Sequence, residues 1–421
     1  MRLNRKLLFN LYICSLPFSH AFSYYNGLIT FTLLISILMM IDIVFASHLK
    51  IGKNLLLYLA PAIIFIFYVI LNSIINVQFY NSFFNHVISY IVSALLFLII
   101  PLWYFESFKL KYNIKSLLNW ITLMVFFTCL YACSQFIFNN FFGINLDDYL
   151  YWPTQEISNT MALGFYFRTK GFFAEPGHFA LFLECFIPVI YWYLYKTDII
   201  LNFILKNIIF LIIIAAFILT ISAAGFACLL FGFLIAVFFS INNLKKKLPK
   251  SFIKALLFLG VIFLIYKYTD DYFSVFDIIY TNTIDKLYSG TGSSQDRMSR
   301  LVVFYDIVNN MNIADYLFGH GPNATVNLGY PKDLSILLLY HLLFIELGLI
   351  GFLLFLAIIF IFISKSFLIK GKLRFYVQAS LISVSLHYIF IGNYWYPYLW
   401  FLGIFIYLAN KLQYNSRTIK H

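Results

Sequence analysis

Stretches of about 20 apolar residues, enough to cross a hydrocarbon layer of roughly 30 Å as helix, recur along almost the whole chain and constrain its fold more than any motif. Lipid offers no partner for unpaired backbone groups, so such stretches have to be helical. About twelve are expected, at approximately 7–24, 28–46, 55–75, 87–105, 117–138, 172–195, 206–222, 224–241, 252–268, 336–364, 375–392 and 397–410. Only Ser222-Ala-Ala-Gly225 divides the pair at 206–241, and one long kinked helix is the alternative there. With 62% hydrophobic residues, 51 Phe, 32 Tyr and 11% charged residues in 421, the chain has more apolar surface than a core of this size hides, which excludes a water-soluble enzyme. The expected fold class is all-α: a polytopic integral membrane protein of about 12 transmembrane helices, one membrane domain over 1–421.

The net charge of +12 does not point to nucleic acid, because the basic residues lie between the apolar runs and Lys245-Lys246-Lys247 is the longest cluster among them. They orient helices instead. Placing both termini in the cytoplasm puts about 22 of the 29 Lys and Arg there. The basic start Arg2-Leu-Asn-Arg5-Lys6 resembles a signal peptide but lacks a small-residue cleavage site, so a retained first helix is expected. Two outer connections are long, a medium periplasmic loop at 139–171 and a large one at 269–335, and their aromatics and turn signals predict ordered structure with a helix near 297–311. All five cysteines lie in apolar runs, which reads as helix packing rather than a disulfide framework or a metal site.

Three outer features concentrate polar residues. The first is Arg168-Thr-Lys170-Gly171-Phe-Phe-Ala-Glu175-Pro176-Gly177-His178, where Gly171 permits a turn and Pro176 suits the first helical turn. Helix-start amides with Arg168 and Lys170 would form an anion site; the plainer alternative has both cations reaching headgroups and Glu175 paired with one of them. The second is Gln295-Asp296-Arg297-Met-Ser-Arg300, with the two arginines one turn apart and able to grip a diphosphate in forked geometry, or else a solvated face with Asp296 as N-cap. The third is Gly319-His320-Gly321-Pro322-Asn323, then Asp333, then a span with His341, Glu346, Gly348 and Gly351. His320 in an exposed turn is a candidate proton acceptor. His341 and His387 are expected in interhelical hydrogen bonds, while His48, His86 and His421 read as interfacial or tail residues.

No Asp-x-Asp, Gly-x-x-x-x-Gly-Lys, His-Glu-x-x-His or Gly-x-Ser-x-Gly occurs, and the pairs Asp147-Asp148 and Asp270-Asp271 are weak substitutes for the first. Neither a metal nor a cofactor is expected.

In order and topological side, these elements resemble bacterial Wzy-type O-antigen polymerases, within the wider O-antigen ligase and polymerase superfamily. The pattern comprises Arg168…Gly171-Phe-Phe-Ala-Glu175-Pro176, Thr220-Ile-Ser222-Ala-Ala-Gly225, Arg297 and Arg300 with Gly319-His-Gly321, Glu346-Leu-Gly348-Leu-Ile-Gly351, and Asn393-Tyr-Trp-Tyr-Pro397. The resemblance implies a glycosyltransferase of the inner membrane, working at the periplasmic face on undecaprenyl-pyrophosphate-linked glycans as donor and acceptor, with a chain-length regulator as a further conceivable partner. It implies leaving-group roles for Arg168, Arg297 and Arg300, a proton acceptor in His320 or Glu175, and substrate contacts by Lys170 and Asp333. Ligases of the superfamily tend to carry a His where Leu337 stands here, which favours polymerase. A ligase-type transferase and a lipid-linked oligosaccharide flippase or transporter are the alternatives; the latter is expected to have shorter loops and ionisable residues near the bilayer midplane.

Overall fold

The computed structural model describes residues 4–23, 29–46, 51–77, 81–151, 162–163, 166–197, 202–241, 293–330 and 338–418. The span expected at 252–268, Asp333 and the remainder of the 269–335 segment lie outside them.

The described residues are helical but for a two-residue ladder pairing Ala162–Leu163 with Tyr166–Phe167. In chain order the helices are α1 (Arg5–Ser15), α2 (Phe31–Phe45), α3 (Lys53–Ile75), α4 (Asn81–Ala94), α5 (Ile100–Ser107), α6 (Ile114–Phe141), α7 (Pro176–Lys196), α8 (Phe203–Leu219) and α9 (Ala223–Ile241). After the undescribed stretch come α10 (Ser293–Asn309), α11 (Ile313–Phe318), α12 (Ala324–Asn327), α13 (Leu339–Ser366), α14 (Leu373–His387) and α15 (Pro397–Thr418).

Among the described residues five helical segments are long and apolar enough to cross a membrane: Lys53–Ile75, Ser82–Ser107, Ile114–Phe141, Pro176–Lys196 and Leu339–Ser366. Phe31–Phe45, Phe203–Leu219 and Ala223–Phe239 are apolar but shorter. Outward faces carry the apolar surplus, as at Leu57, Phe67 and Ile74 of α3, which are 61, 64 and 66% exposed. Water does not tolerate such a wall of large apolar side chains, whereas lipid does. The 206–241 stretch is two helices, with Ile221 at φ +46° in the break between them.

The helices run between two polar ends. At one, Arg5 Nε lies 3.0 Å from Asp42 Oδ2, and Lys411 Nζ lies 2.5 Å from Glu106 Oε1. At the other lie the 168–178 segment, α11, α12 and the start of α15. We call them the lysine end and the knot end. α7 is the most enclosed of the long helices, with 83% of its apolar window buried against 33% for α3, and its lower hydropathy (1.4 against 2.4) reflects a protein rather than a lipid environment.

Prolines in membrane helices leave carbonyls to be satisfied by neighbours. α4 and α5 form one continuous helix through the π turn Leu95–Ile99, just ahead of Pro101. Pro101 has no N–H for the carbonyl four residues back, and Tyr12 Oη donates to that carbonyl, Phe97 O, at 2.9 Å, tying α1 to the helix at the cost of no orphaned group. Small residues let α9 and α14 touch: a Cβ on Gly232 would stand 2.9 Å from Ala379 O. Gly232 and Ala236 thus face Ala379 and Ser383, a pair of small-xxx-small faces used within the chain.

α13 is broken at Gly348, where φ is +65° and ψ −172°. Three carbonyls before the break lose their helical partners and receive others: Ile345 O from His320 N–H at 2.9 Å, Glu346 O from Gly321 N–H at 2.9 Å, and Leu347 O from Tyr68 Oη at 2.7 Å. Backbone meets backbone here, for a Cβ on Gly319 would stand 2.5 Å from both Glu346 O and Gly348 N. The Gly-His-Gly and Glu-Leu-Gly motifs are therefore two halves of one interlock, fastened to α3 by Asn72 Nδ2 donating to Phe318 O at 2.5 Å. Gly348→Ala should cost about 2 kcal/mol or more in detergent unfolding, since strain adds to the clash. Gly143→Ala, also at positive φ (+66°) but with nothing within 4 Å, should cost only about 1 kcal/mol. Equal losses would remove the interlock from the account.

Candidate functional site

At the knot end, the 168–171 segment is held by one amide. Gln135 Oε1 on α6 accepts from the Thr169 hydroxyl at 2.8 Å and from Lys170 and Gly171 N–H at 3.0 Å each, while Gln135 Nε2 donates to Asp147 Oδ1 at 2.7 Å. Thr169 N–H donates to Leu219 O at 3.1 Å, and Arg168 Nε to Thr220 O at 2.8 Å, so the end of α8 fixes the arginine's root and fork. Gly171 takes the expected turn at φ +57° and Pro176 the first position of α7.

Lys170 departs from the expected substrate role. Its Nζ lies 3.1 Å from Asp147 Oδ2, and the two side chains are 3 and 2% exposed. Burial pushes the Asp147 carboxyl up and the Lys170 ammonium down, each against the opposing pull of its partner. A cation so enclosed anchors the loop; it is not an open ligand for a large glycan. Arg168 remains half-buried and Glu175 exposed at the N-cap of α7, where its side chain makes no capping bond.

Beneath Glu175, buried His178 shares a 3.2 Å hydrogen bond between its Nδ1 and Tyr396 Oη. Two turns further into α7, Glu184 Oε1 lies 2.6 Å from His387 Nδ1 on α14, both buried. This is the interhelical bond expected of His387. His341 does otherwise: its ring packs edge-on against Phe304 with centroids 4.4 Å apart, and among the described residues its Nδ1 has no hydrogen-bond partner.

The interlock encloses a second carboxylate. Glu346 is fully buried, accepting from Tyr90 Oη at 2.7 Å and from Asn323 N–H at 2.8 Å, with His86 Nδ1 3.0 Å away. His86, near the start of α4 and one-third exposed, is the residue that meets this carboxylate from the outer side. Tyr90 stacks on Tyr394 at 4.2 Å and 6°, and the 393–397 turn runs on to Tyr396 and His178. One file of polar side chains therefore joins Glu346 to the mouth of α7.

His320 is half-buried, with its Nδ1 3.8 Å from Asp315 Oδ1, beyond hydrogen-bond reach. α10 begins at Ser293, so Asp296 lies inside its first turns and is not the N-cap. Arg300 is half-buried one turn before Phe304, on the side of α10 that meets α13. Arg297 belongs to the same helix, though its side chain, like Asp333, falls outside the described residues. Gln135 and Tyr90 were not singled out by sequence, and Asp147, His178, Tyr394 and Tyr396 stood there only as parts of motifs, without the partners found here. Only the presence of Glu184 and Glu346 within spans signalled that partners had to exist.

No family model matches the chain, and no curated protein is significantly similar to it. Among the described residues no group of three or more His, Cys, Asp or Glu is placed to hold a metal ion.

The anchoring role of Lys170 has a distinctive double-mutant signature. Lys170→Met alone should cost about 3–5 kcal/mol of stability by stranding a buried Asp147, and Lys170→Met with Asp147→Leu should regain most of it. An unfolding midpoint unchanged in the single variant would show that Lys170 is free after all.

Proposed function

We propose that the chain is a glycosyltransferase that polymerises oligosaccharide repeats carried on a polyprenyl diphosphate, of the kind that builds O-antigen or a related surface polysaccharide. The observation that carries the reading is the rim at the knot end: a half-buried guanidinium, Arg168, fixed by Thr220 O, in one short segment with an exposed carboxylate, Glu175, at a helix mouth. Its resemblance to the polymerases in motif order supports the same reading.

The donor's anomeric carbon is already activated, because diphosphate leaves well. The acceptor hydroxyl oxygen bonds to that carbon as the carbon–oxygen bond to diphosphate breaks, with inversion, since no second carboxylate is assigned as nucleophile. The departing electron pair stays on the diphosphate, where Arg168 and the α10 arginines Arg297 and Arg300 stabilise it by about 2–4 kcal/mol for one well-placed donor. Glu175 takes the hydroxyl proton. It is better placed than His320, whose backbone is bound into the interlock and whose ring is half-buried. In this reading both termini are cytoplasmic, the knot end faces the periplasm of a bacterial inner membrane, and neither metal nor nucleotide takes part.

A second reading, movement of a lipid-linked oligosaccharide, draws on the deep Glu184–His387 pair and the broken α13, both of which occur in transporters. Purified protein in lipid, given undecaprenyl-diphosphate-linked repeats without ATP, metal or nucleotide sugar, separates the two. Longer lipid-linked chains are expected; transfer to a lipid A core alone would mean a ligase, and passage of unchanged substrate a transporter. Arg168→Lys and Arg300→Lys should each lose at least roughly tenfold in rate, and Glu175→Gln about 10²-fold, with folded yield preserved. Wild-type rates in these variants would end the mechanism.

A further inference from the structure

We infer that a cavity at the lysine end binds the headgroup of an anionic phospholipid, in the leaflet opposite the knot end. The cavity is about 600 Å³, walled by the start of α3, the end of α5, the end of α13 and α15. It is remote from the site above. Lys53 lines it, whereas Asn72 on the same helix bonds the interlock, and nineteen residues of helix separate them by about 28 Å.

Three ammonium groups line this space, those of Lys53, Lys365 and Lys411, against one carboxylate, Glu106. Glu106 is committed: it lies 2.5 Å from Lys411 Nζ and accepts from Tyr407 Oη at 2.8 Å. Lys53 and Lys365 thus face the cavity with no second carboxylate in its lining. α3 adds to the positive potential. Its N-cap is Gly52, which has no side chain to accept from the first-turn N–H groups of Lys53, Asn54 and Leu55, all of which line the cavity. Two cations and an uncapped helix start favour a phosphodiester and disfavour a headgroup with its own ammonium.

Asn410 Nδ2 donates to Lys365 O at 2.9 Å, which ties α15 to the end of α13 at the cavity wall. The adjoining exposed side chains are apolar, Leu56 and Leu57 on α3 and Leu368 after α13, a surface suited to acyl chains and useless to free phosphate.

The test is native mass spectrometry of the delipidated full chain in detergent, titrated with phosphatidylglycerol, phosphatidylethanolamine, phosphatidylmethanol or inorganic phosphate. Phosphatidylglycerol and the equally charged phosphatidylmethanol should bind alike, and the other two not measurably. Lys53→Gln/Lys365→Gln should weaken phosphatidylglycerol roughly tenfold or more, while Lys196→Gln/Lys206→Gln, basic residues at the same end outside the cavity, should not. Equal binding of phosphatidylethanolamine, full displacement by inorganic phosphate, or equal effects of the two double variants would each overturn the proposal. Should the cavity variant fail to fold, the lipid comparison on the wild-type chain still decides it. None of this depends on the activity at the knot end.

Discussion

A carboxylate deprived of water must be given donors, and Glu346 is deprived of it completely. Its demand organises the knot end. Tyr90 on α4 and the Asn323 amide ahead of α12 supply the hydrogen bonds, and His86 stands by as a counter-charge. Because Asn323 reaches Glu346 only if residues 317–323 lie across α13, the break at Gly348 and the docking of the loop are one event. The net worth of such a buried group to stability is small or negative compared with an apolar replacement. What it confers is a unique register, because the loop is docked on a membrane helix by several fixed hydrogen bonds.

The same rule governs α7. Its hydropathy is the lowest of the five long apolar segments because it is solvated by protein, and it alone among them carries both a buried acid and a buried imidazole that face partners on other helices, Glu184 toward His387 and His178 toward Tyr396. Enclosure permits these residues, and the residues in turn fix how α7, α14 and α15 sit together. Glu175 caps that rod, while Arg168 precedes it and is held by the end of α8, so their geometry is inherited from the packing of α7 and α8.

Period and punctuation were legible in the sequence; partnership across it was not. The apolar runs marked α3, α6, α7 and α13, and Pro176 and Gly171 marked a helix start and a turn, because each of these features acts within a few residues. Lys170 looked like a ligand since a lysine beside an arginine carries no sign of being neutralised by Asp147, a residue the sequence offered only as half of a poor metal motif. The partner of His86 was hidden for the same reason: Glu346 lies 260 residues away, and nothing local announces it. Where the reading was coarse, at 206–241, the missing information was a single positive φ at Ile221.

The placement of charge at the two ends follows from one further asymmetry. At the knot end, charged groups are absorbed into the protein: Lys170 by Asp147, and Glu346 by donors from α4 and the 323 turn, leaving Arg168 and Glu175 accessible. At the lysine end, among the described residues, Arg5 pairs with Asp42 and Lys411 with Glu106, while Lys53 and Lys365 remain around an open cavity. Pairing at a helix end fixes side chains and leaves little net charge for a ligand; an unpaired surplus is a poor scaffold but a good site for a phosphate. The up-and-down course of the helices makes this division possible, since α3, α13 and α15 each present one end to each surface.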